Sequence, residues 1–254
     1  MSVRSVPVLH VATYNIHKGF SHFNRRMTVH ELRDRLRLLG ADIVFLQEVV
    51  GHNTRHARRF EDWPVHPQYE FLADKVWTDF AYGKNAIYGE GHHGNAILSR
   101  YPIVVHGNED ISTNPIEQRG LLYAAVQVPG WGKLLHCVCL HLGLFARGRR
   151  KQFAAVCERI ETLVPRDAPL IVAGDFNDWQ IEASSVLRTN LHLHEVFELT
   201  RGRAARSYPA GLPLLRLDRI YIRGFTVAAA HIHRGPAWAR VSDHAVLSAQ
   251  LALR

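Results

Sequence analysis

Two apolar segments with β patterning, Leu121–Val128 and Lys133–Leu142, are separated only by the turn sequence Pro129–Gly132. So short a connection joins antiparallel strands, because a parallel crossover needs a dozen or more residues. The chain is therefore not a doubly wound parallel sheet, in which a helix follows nearly every strand. Further strands are expected at Val8–Asn15, Asp42–Gln47, Asn95–Ser99, Ile103–His106, Leu170–Ala173, Leu217–Ile222, Phe225–Ala230 and Ala245–Leu251. Helical spacing is confined to three stretches. Thr28 and Glu31 form a capping-box pattern ahead of Leu32, Leu36 and Leu39, and Gly40 stops that helix. Gln68–Val76 predicts a second helix, and Arg149–Val164 a long one with Phe153, Val156, Cys157, Ile160 and Leu163 on one face. Many strands with few helices predict an α/β four-layer sandwich, two mixed β-sheets packed face to face and flanked by helices. No repeat or low-complexity linker divides residues 1–254, so a single catalytic-size domain is expected.

Composition narrows the class. With 47% hydrophobic and 21% charged residues the chain is globular, and at 254 residues it can build a core without staples. Cys137, Cys139 and Cys157 cannot all pair, and the first two sit in an apolar run, which predicts buried thiols and a reducing compartment. The opening MSVRSVPVLH has no leader-like apolar region, and no run of about 18 apolar residues follows, so a soluble cytoplasmic protein without a transmembrane segment is expected. No obligate protein partner is evident. Lys and Arg number 31 against 23 Asp and Glu, a net charge of +8 carried mainly by Arg. Such a field draws in nucleic acid, anionic headgroups or small phosphates, although Arg-rich usage also arises from genome composition.

Polar residues gather where strands end. Asn15 closes the first strand in TYNIH, Glu48 the second in FLQEV, and His141 the hairpin strand in LHCVCLHL. Asp175 and Asn177 follow LIVA in GDFND, Asp218 opens LDRIYI, and Asp243 and His244 open the last strand in SDH. If these ends share one rim, they offer hard oxygen donors and imidazoles without thiolates. That chemistry suits Mg²⁺ or Mn²⁺ better than Zn²⁺.

TYNIH, LQEV, GNAILSR, HL, GDFN, LDRIY and SDH occur in this order from residue 13 to 244. The ordered set resembles the endonuclease/exonuclease/phosphatase superfamily, which includes deoxyribonuclease I, exonuclease III, neutral sphingomyelinases and inositol polyphosphate 5-phosphatases. The resemblance implies a two-sheet α/β sandwich and Mg²⁺-dependent hydrolysis of a phosphodiester by in-line attack of water. It implies Glu48, with Asn15 and Asp243, on the metal side. It implies His244 at the scissile phosphate, oriented by Asp218, and Asp175 with Asn177 positioning water and a phosphate oxygen. Either His244 or Asp175 is the base. His141 resembles the second imidazole of the deoxyribonuclease, sphingomyelinase and phosphatase branches, which argues against an abasic-site repair enzyme. His17 departs from the acidic residue that those repair enzymes carry.

Other residues have two readings each. Asn95 in GNAILSR either contacts phosphate or makes structural hydrogen bonds. Arg119 in EQRG either grips phosphate or is a solvated strand-start residue, and Lys18 and His93 stand alike. The runs Arg147–Lys151 and Arg201–Arg206 are either a substrate rim or solvated faces. The scattered histidines lack thiolate partners and an HExxH pattern, so structural zinc is not expected. The charge favours a nuclease acting on nucleic acid. The alternative is a phosphodiesterase on phospholipid headgroups or another small phosphate ester; the sequence shows no obvious hydrophobic membrane-docking hairpin, although Gly211–Leu215 is short and apolar. A non-catalytic binding module is disfavoured by the intact motif set.

Overall fold

The computed structural model describes residues 8–254; the opening residues read above for a leader lie largely outside that range. In chain order the strands are β1 (Val8–Asn15), β2 (Ile43–Asn53), β3 (Asp79–Tyr88), β4 (Gly91–Ser99), β5 (Ile103–Asp110) and β6 (Gly120–Val126). They continue as β7 (Leu135–His141), β8 (Leu170–Asp175), β9 (His194–Glu195), β10 (Asp218–Arg223), β11 (Phe225–His233) and β12 (Val246–Leu253). The helices are α1 (Val29–Leu39), α2 (Thr54–Arg59), α3 (Gln68–Ala73), α4 (Ala146–Leu163), α5 (Glu182–Leu191), α6 (Val196–Arg201) and α7 (Pro236–Ala239). One six-stranded sheet runs β11-β12-β1-β2-β4-β3 and the other β5-β6-β7-β8-β10-β9. Both are mixed. The parallel pairs β1–β2 and β7–β8 are bridged by α1 and α4.

Alternation along each strand builds the layers. In β7 the Cys137 and Cys139 side chains join the core between the sheets, with Val11, Phe45, Ile97, Leu122, Ile171 and Ile220. Val138 and Leu140 face the other way, onto Phe153, Val156 and Ile160 of α4 and Ala183 and Leu187 of α5. The outer face of the first sheet, with Ala12, Tyr14, Val44 and Leu46, is covered by Leu32 and Leu36 of α1 and Leu72 of α3. The expected four-layer sandwich is therefore observed, and all three cysteines are buried free thiols.

Several local expectations are corrected. Thr28 makes no capping bond to α1; its hydroxyl donates to the Val241 carbonyl at 2.8 Å, while Glu31 is held by Arg26. A tertiary partner outcompetes the cap. The Gln68–Val76 helix stops at Ala73, and β2 is longer than Asp42–Gln47, running through Glu48 to Asn53. β3 and α5 escaped the pattern. β3 is a half-exposed edge strand broken by Gly83, Lys84 and Asn85, and α5 mixes serines into its apolar face.

Candidate active site

Register brings the motif residues together. In the second sheet His141 pairs with Asp175, and Asp175 with Asp218, so three strands present neighbouring polar residues at one edge. Asn15, at the matching end of β1, joins the sheets: its Nδ2 donates to Asp175 Oδ2 at 3.1 Å and to Glu48 Oε1 at 3.4 Å. His244 lies just ahead of β12, where Ser242 fixes the turn by donating to the Asn15 carbonyl at 2.7 Å and accepting the His244 N–H.

Glu48 does not close its strand. It sits inside β2 with φ +56°, where the register with β4 slips between Leu46 and Val49. This bulge re-aims one side chain without ending the strand, and a non-glycine residue held left-handed stores backbone strain typical of functional positions. Burial alone would raise its carboxyl, but His141, Lys18, His17 and His244 hold it below the usual carboxylate range, at about 2. Lys18, itself at φ +58°, places Nζ 3.7 Å from Glu48 Oε2.

Asp175 is the point of convergence. His141 Nε2 is 3.6 Å and His244 Nε2 3.8 Å from its Oδ2, and its Oδ1 accepts the Asn177 N–H at 3.0 Å. Burial, reinforced by Asp218 and opposed by His244 and the Asn15 and Asn177 donors, pushes its carboxyl up to about 6. His244 Nδ1 is 2.8 Å from Asp218 Oδ2. Burial lowers this imidazole, but the adjacent Asp218, then Asp175 and Asp243, overcome it and raise His244 to about 10. His141 goes the other way: burial, then Arg119, lower it well below its ordinary value against the pull of Glu48. One imidazole is thus charged and the other neutral at neutral pH, and the environment divides their roles.

Asp243 faces two residues that the motif reading did not assign to it. Its carboxylate lies 3.4 Å from His17 Nδ1 and 3.7 Å from His22 Nδ1. Tyr208 also went unnoticed; its ring packs 5.0 Å from that of His244. Nothing in a single sequence marks such contacts, which loops make across more than 200 residues of chain in the Asp243 case.

The remaining candidates separate. Asn177 commits its amide nitrogen to the Leu142 carbonyl at 2.9 Å, and Arg119 Nε donates to the same carbonyl at 3.1 Å. Both therefore brace the turn after His141. Asn95 is buried between the sheets, donates to the Gly120 carbonyl at 3.0 Å and leaves its Oδ1 without a hydrogen-bond partner. His93 is lowered to about 4 by burial, then by Lys18. The RGRRK run is not uniformly solvated: Arg149 is fully buried, donates to the Gly143 and Leu144 carbonyls, and lies 4.6 Å from the Trp179 ring centroid.

The donor set fits a hard divalent cation. Glu48, Asp175 and Asp243 offer carboxylate oxygens, the partly buried Glu48 carboxylate is ionised, Asn15 Oδ1 accepts the His17 N–H at 3.1 Å, and the cysteines lie elsewhere in the core. Among the described residues, the His, Cys, Asp and Glu cluster whose ligand atoms all lie within 4.8 Å of one another is Asp175, Asp218 and His244, and Glu48 and Asp243 stand outside it. No helix among the described residues is long and apolar enough to cross a membrane.

Comparison with known proteins gives the family and the fold. Residues 12–244 match the Endonuclease/Exonuclease/phosphatase family. The chain is 49% identical over 243 residues, 96% of each chain, to the "Uncharacterized protein YbhP" of Escherichia coli (strain K12). It shares its fold with the human Nocturnin catalytic domain solved with a bound sulfate anion (TM-score 0.76, 16% identity, 98% of this chain and 96% of that one). The same holds for D. rerio TDP2 complexed with a single-strand DNA product (TM-score 0.72, 22% identity, 96% and 98%).

Proposed function

The chain belongs to the endonuclease/exonuclease/phosphatase family, and from that membership we propose that it is a Mg²⁺-dependent (or Mn²⁺-dependent) phosphodiester hydrolase, working as one catalytic domain over residues 1–254. The observation that carries the proposal is the convergence of Asn15, His141 and His244 on the Asp175 carboxylate, with Glu48 beside them.

Glu48, Asn15 and Asp243 would hold the metal, which when bound supplies Lewis-acid polarisation of the phosphoryl oxygen. Asp175, titrating near 6, is ionised at neutral pH and accepts a proton from the attacking water. His244, kept as imidazolium by Asp218, hydrogen-bonds the phosphoryl oxygens as negative charge builds on them. The ester oxygen opposite the entering water departs, steadied by a hydrogen bond from the neutral His141 Nε2–H, and collects its proton from solvent. Asn177 and Arg119, bonded to the Leu142 carbonyl, fix the turn that carries His141. Lys18 Nζ, 3.7 Å from Glu48 Oε2, offsets the charge of that carboxylate.

Two diester classes fit the site. The net charge of +8 favours nucleic acid. Exposed apolar side chains around the rim favour phospholipid headgroups. Buried free thiols support the cytoplasm as the working compartment. The test is hydrolysis of DNA, RNA, phospholipid vesicles and bis(p-nitrophenyl) phosphate with Mg²⁺, Mn²⁺ or EDTA. Metal-dependent turnover of at least one is expected; none on any substrate would refute the proposal.

A further inference from the structure

Five segments form the rim. Residues 16–28 follow Asn15 and residues 142–145 follow His141; residues 176–181 follow Asp175. Residues 111–119 precede β6, which runs antiparallel to β7, and residues 202–217 precede Asp218. The pairings His141 with Asp175 and Asp175 with Asp218, and the Asn15–Asp175 bond between sheets, put all five at one end of the sandwich.

That end is unlike the rest of the surface. Nine of the seventeen large hydrophobic side chains exposed among the described residues lie in these five segments, which make up about a fifth of them. Ile116 is 88%, Leu212 70% and Phe145 63% exposed. Ile116 and Phe145 line one shallow pocket together with Arg147 and Lys151. Six of the nine are aliphatic, and aliphatic side chains do not stack on bases. The only acidic residues of the segments, Glu117 and Asp178, are both buried, whereas Arg25, Arg26, Arg203 and Arg206 are exposed.

We propose that this rim docks on an anionic phospholipid bilayer, its aliphatic side chains entering the headgroup boundary and its arginines meeting lipid phosphates, so that a headgroup phosphodiester reaches Asp175 and His244. The proposal rests on the phosphodiesterase reading and names its substrate class. Apolar tips flanked by basic residues are the pattern of interfacial membrane binding, in which buried apolar area and attraction to anionic lipid act together. Nucleic acid would use the arginines but leaves Ile116, Leu144, Leu212 and Leu214 facing water. The polar backbone behind the tips is already satisfied: Arg149 holds the Gly143 and Leu144 carbonyls, and Glu117 accepts the Leu144 N–H at 3.0 Å. The loops can therefore present their side chains without rearranging.

The test is co-sedimentation of the full chain with vesicles of mixed phosphatidylglycerol and phosphatidylcholine, and with pure phosphatidylcholine. Wild type is expected to sediment with the anionic vesicles and far less with the neutral ones. Leu212→Ser/Leu214→Ser, and independently Ile116→Ser/Phe145→Ser in two other rim segments, should each weaken binding about tenfold or more. Arg203→Glu/Arg206→Glu should weaken it about tenfold and flatten its salt dependence. Thermal melts check that each variant is folded. Failure of wild type to bind anionic vesicles, or binding unchanged by both apolar double variants, overturns the proposal. So does loss of single-stranded DNA binding, with vesicle binding intact, in those variants, since the rim would then serve nucleic acid. Wild-type turnover of bis(p-nitrophenyl) phosphate, which needs no membrane, reads the phosphodiesterase assignment separately.

Discussion

Replacing Asp218 by Asn keeps the size of the side chain and removes the charge that holds His244 protonated. The two groups are buried and 2.8 Å apart, and His244 rises from an ordinary 6.5 to about 10. Because the folded value lies above the unfolded one, the stabilisation is complete below pH 6.5 and is lost as pH climbs toward 10. At about 1.4 kcal/mol per tenfold, the raised imidazolium, held by Asp218 first and then by Asp175 and Asp243, contributes about 4 kcal/mol at neutral pH and about 1 kcal/mol near pH 9.5. The wild type should therefore lose up to about 3 kcal/mol of unfolding free energy between those pH values relative to Asp218→Asn, which keeps only the Asp175 and Asp243 contributions. Urea denaturation of both proteins in EDTA, at several pH values, measures the difference. Turnover of the variant should fall about 10²–10⁴-fold at neutral pH, since the phosphoryl charge loses its imidazolium. Parallel stability curves for the two proteins would refute the ion pair and with it the charged role of His244.

Two further outcomes follow from the same geometry. Glu48→Ala should lower turnover by orders of magnitude, with only partial recovery in excess Mn²⁺, and full activity of this variant in EDTA would remove the metal from the mechanism. His141→Ala should cost about 10²–10⁴-fold with an alkoxide leaving group and much less with a nitrophenolate, as kcat on paired substrates would report; equal losses would move His141 from the leaving oxygen to phosphate binding.

Much of this site was legible because strand ends carry it. Asn15, His141, Asp175 and Asp218 each follow or open an apolar run, and two-residue alternation then fixes where they point. Glu48 was legible as a candidate site residue but not in its placement. Its left-handed backbone depends on the slipped pairing with β4, a partner more than 40 residues away. Asn95 and Arg119 show the opposite limit. Their hydrogen bonds go to the Gly120 and Leu142 carbonyls, and the sequence gives no sign of which backbone groups face an inward amide or guanidinium. Arg149 reads as one more surface charge in a basic run until α4 turns it under Trp179. The edge strand β3 was invisible because an edge needs neither continuous apolarity nor strict alternation.

The central claim is that Asp175 takes the proton from water at a metal-assisted site. Turnover of bis(p-nitrophenyl) phosphate by wild type and by Asp175→Asn, each with Mg²⁺ and with EDTA, tests it most directly. Asn preserves the hydrogen-bonding shape but cannot accept the proton. The account predicts metal-dependent turnover by wild type and a loss of about 10²–10⁴-fold in kcat for the variant. Wild-type kcat in the Asp175→Asn protein, or equal wild-type rates with Mg²⁺ and with EDTA, would contradict it.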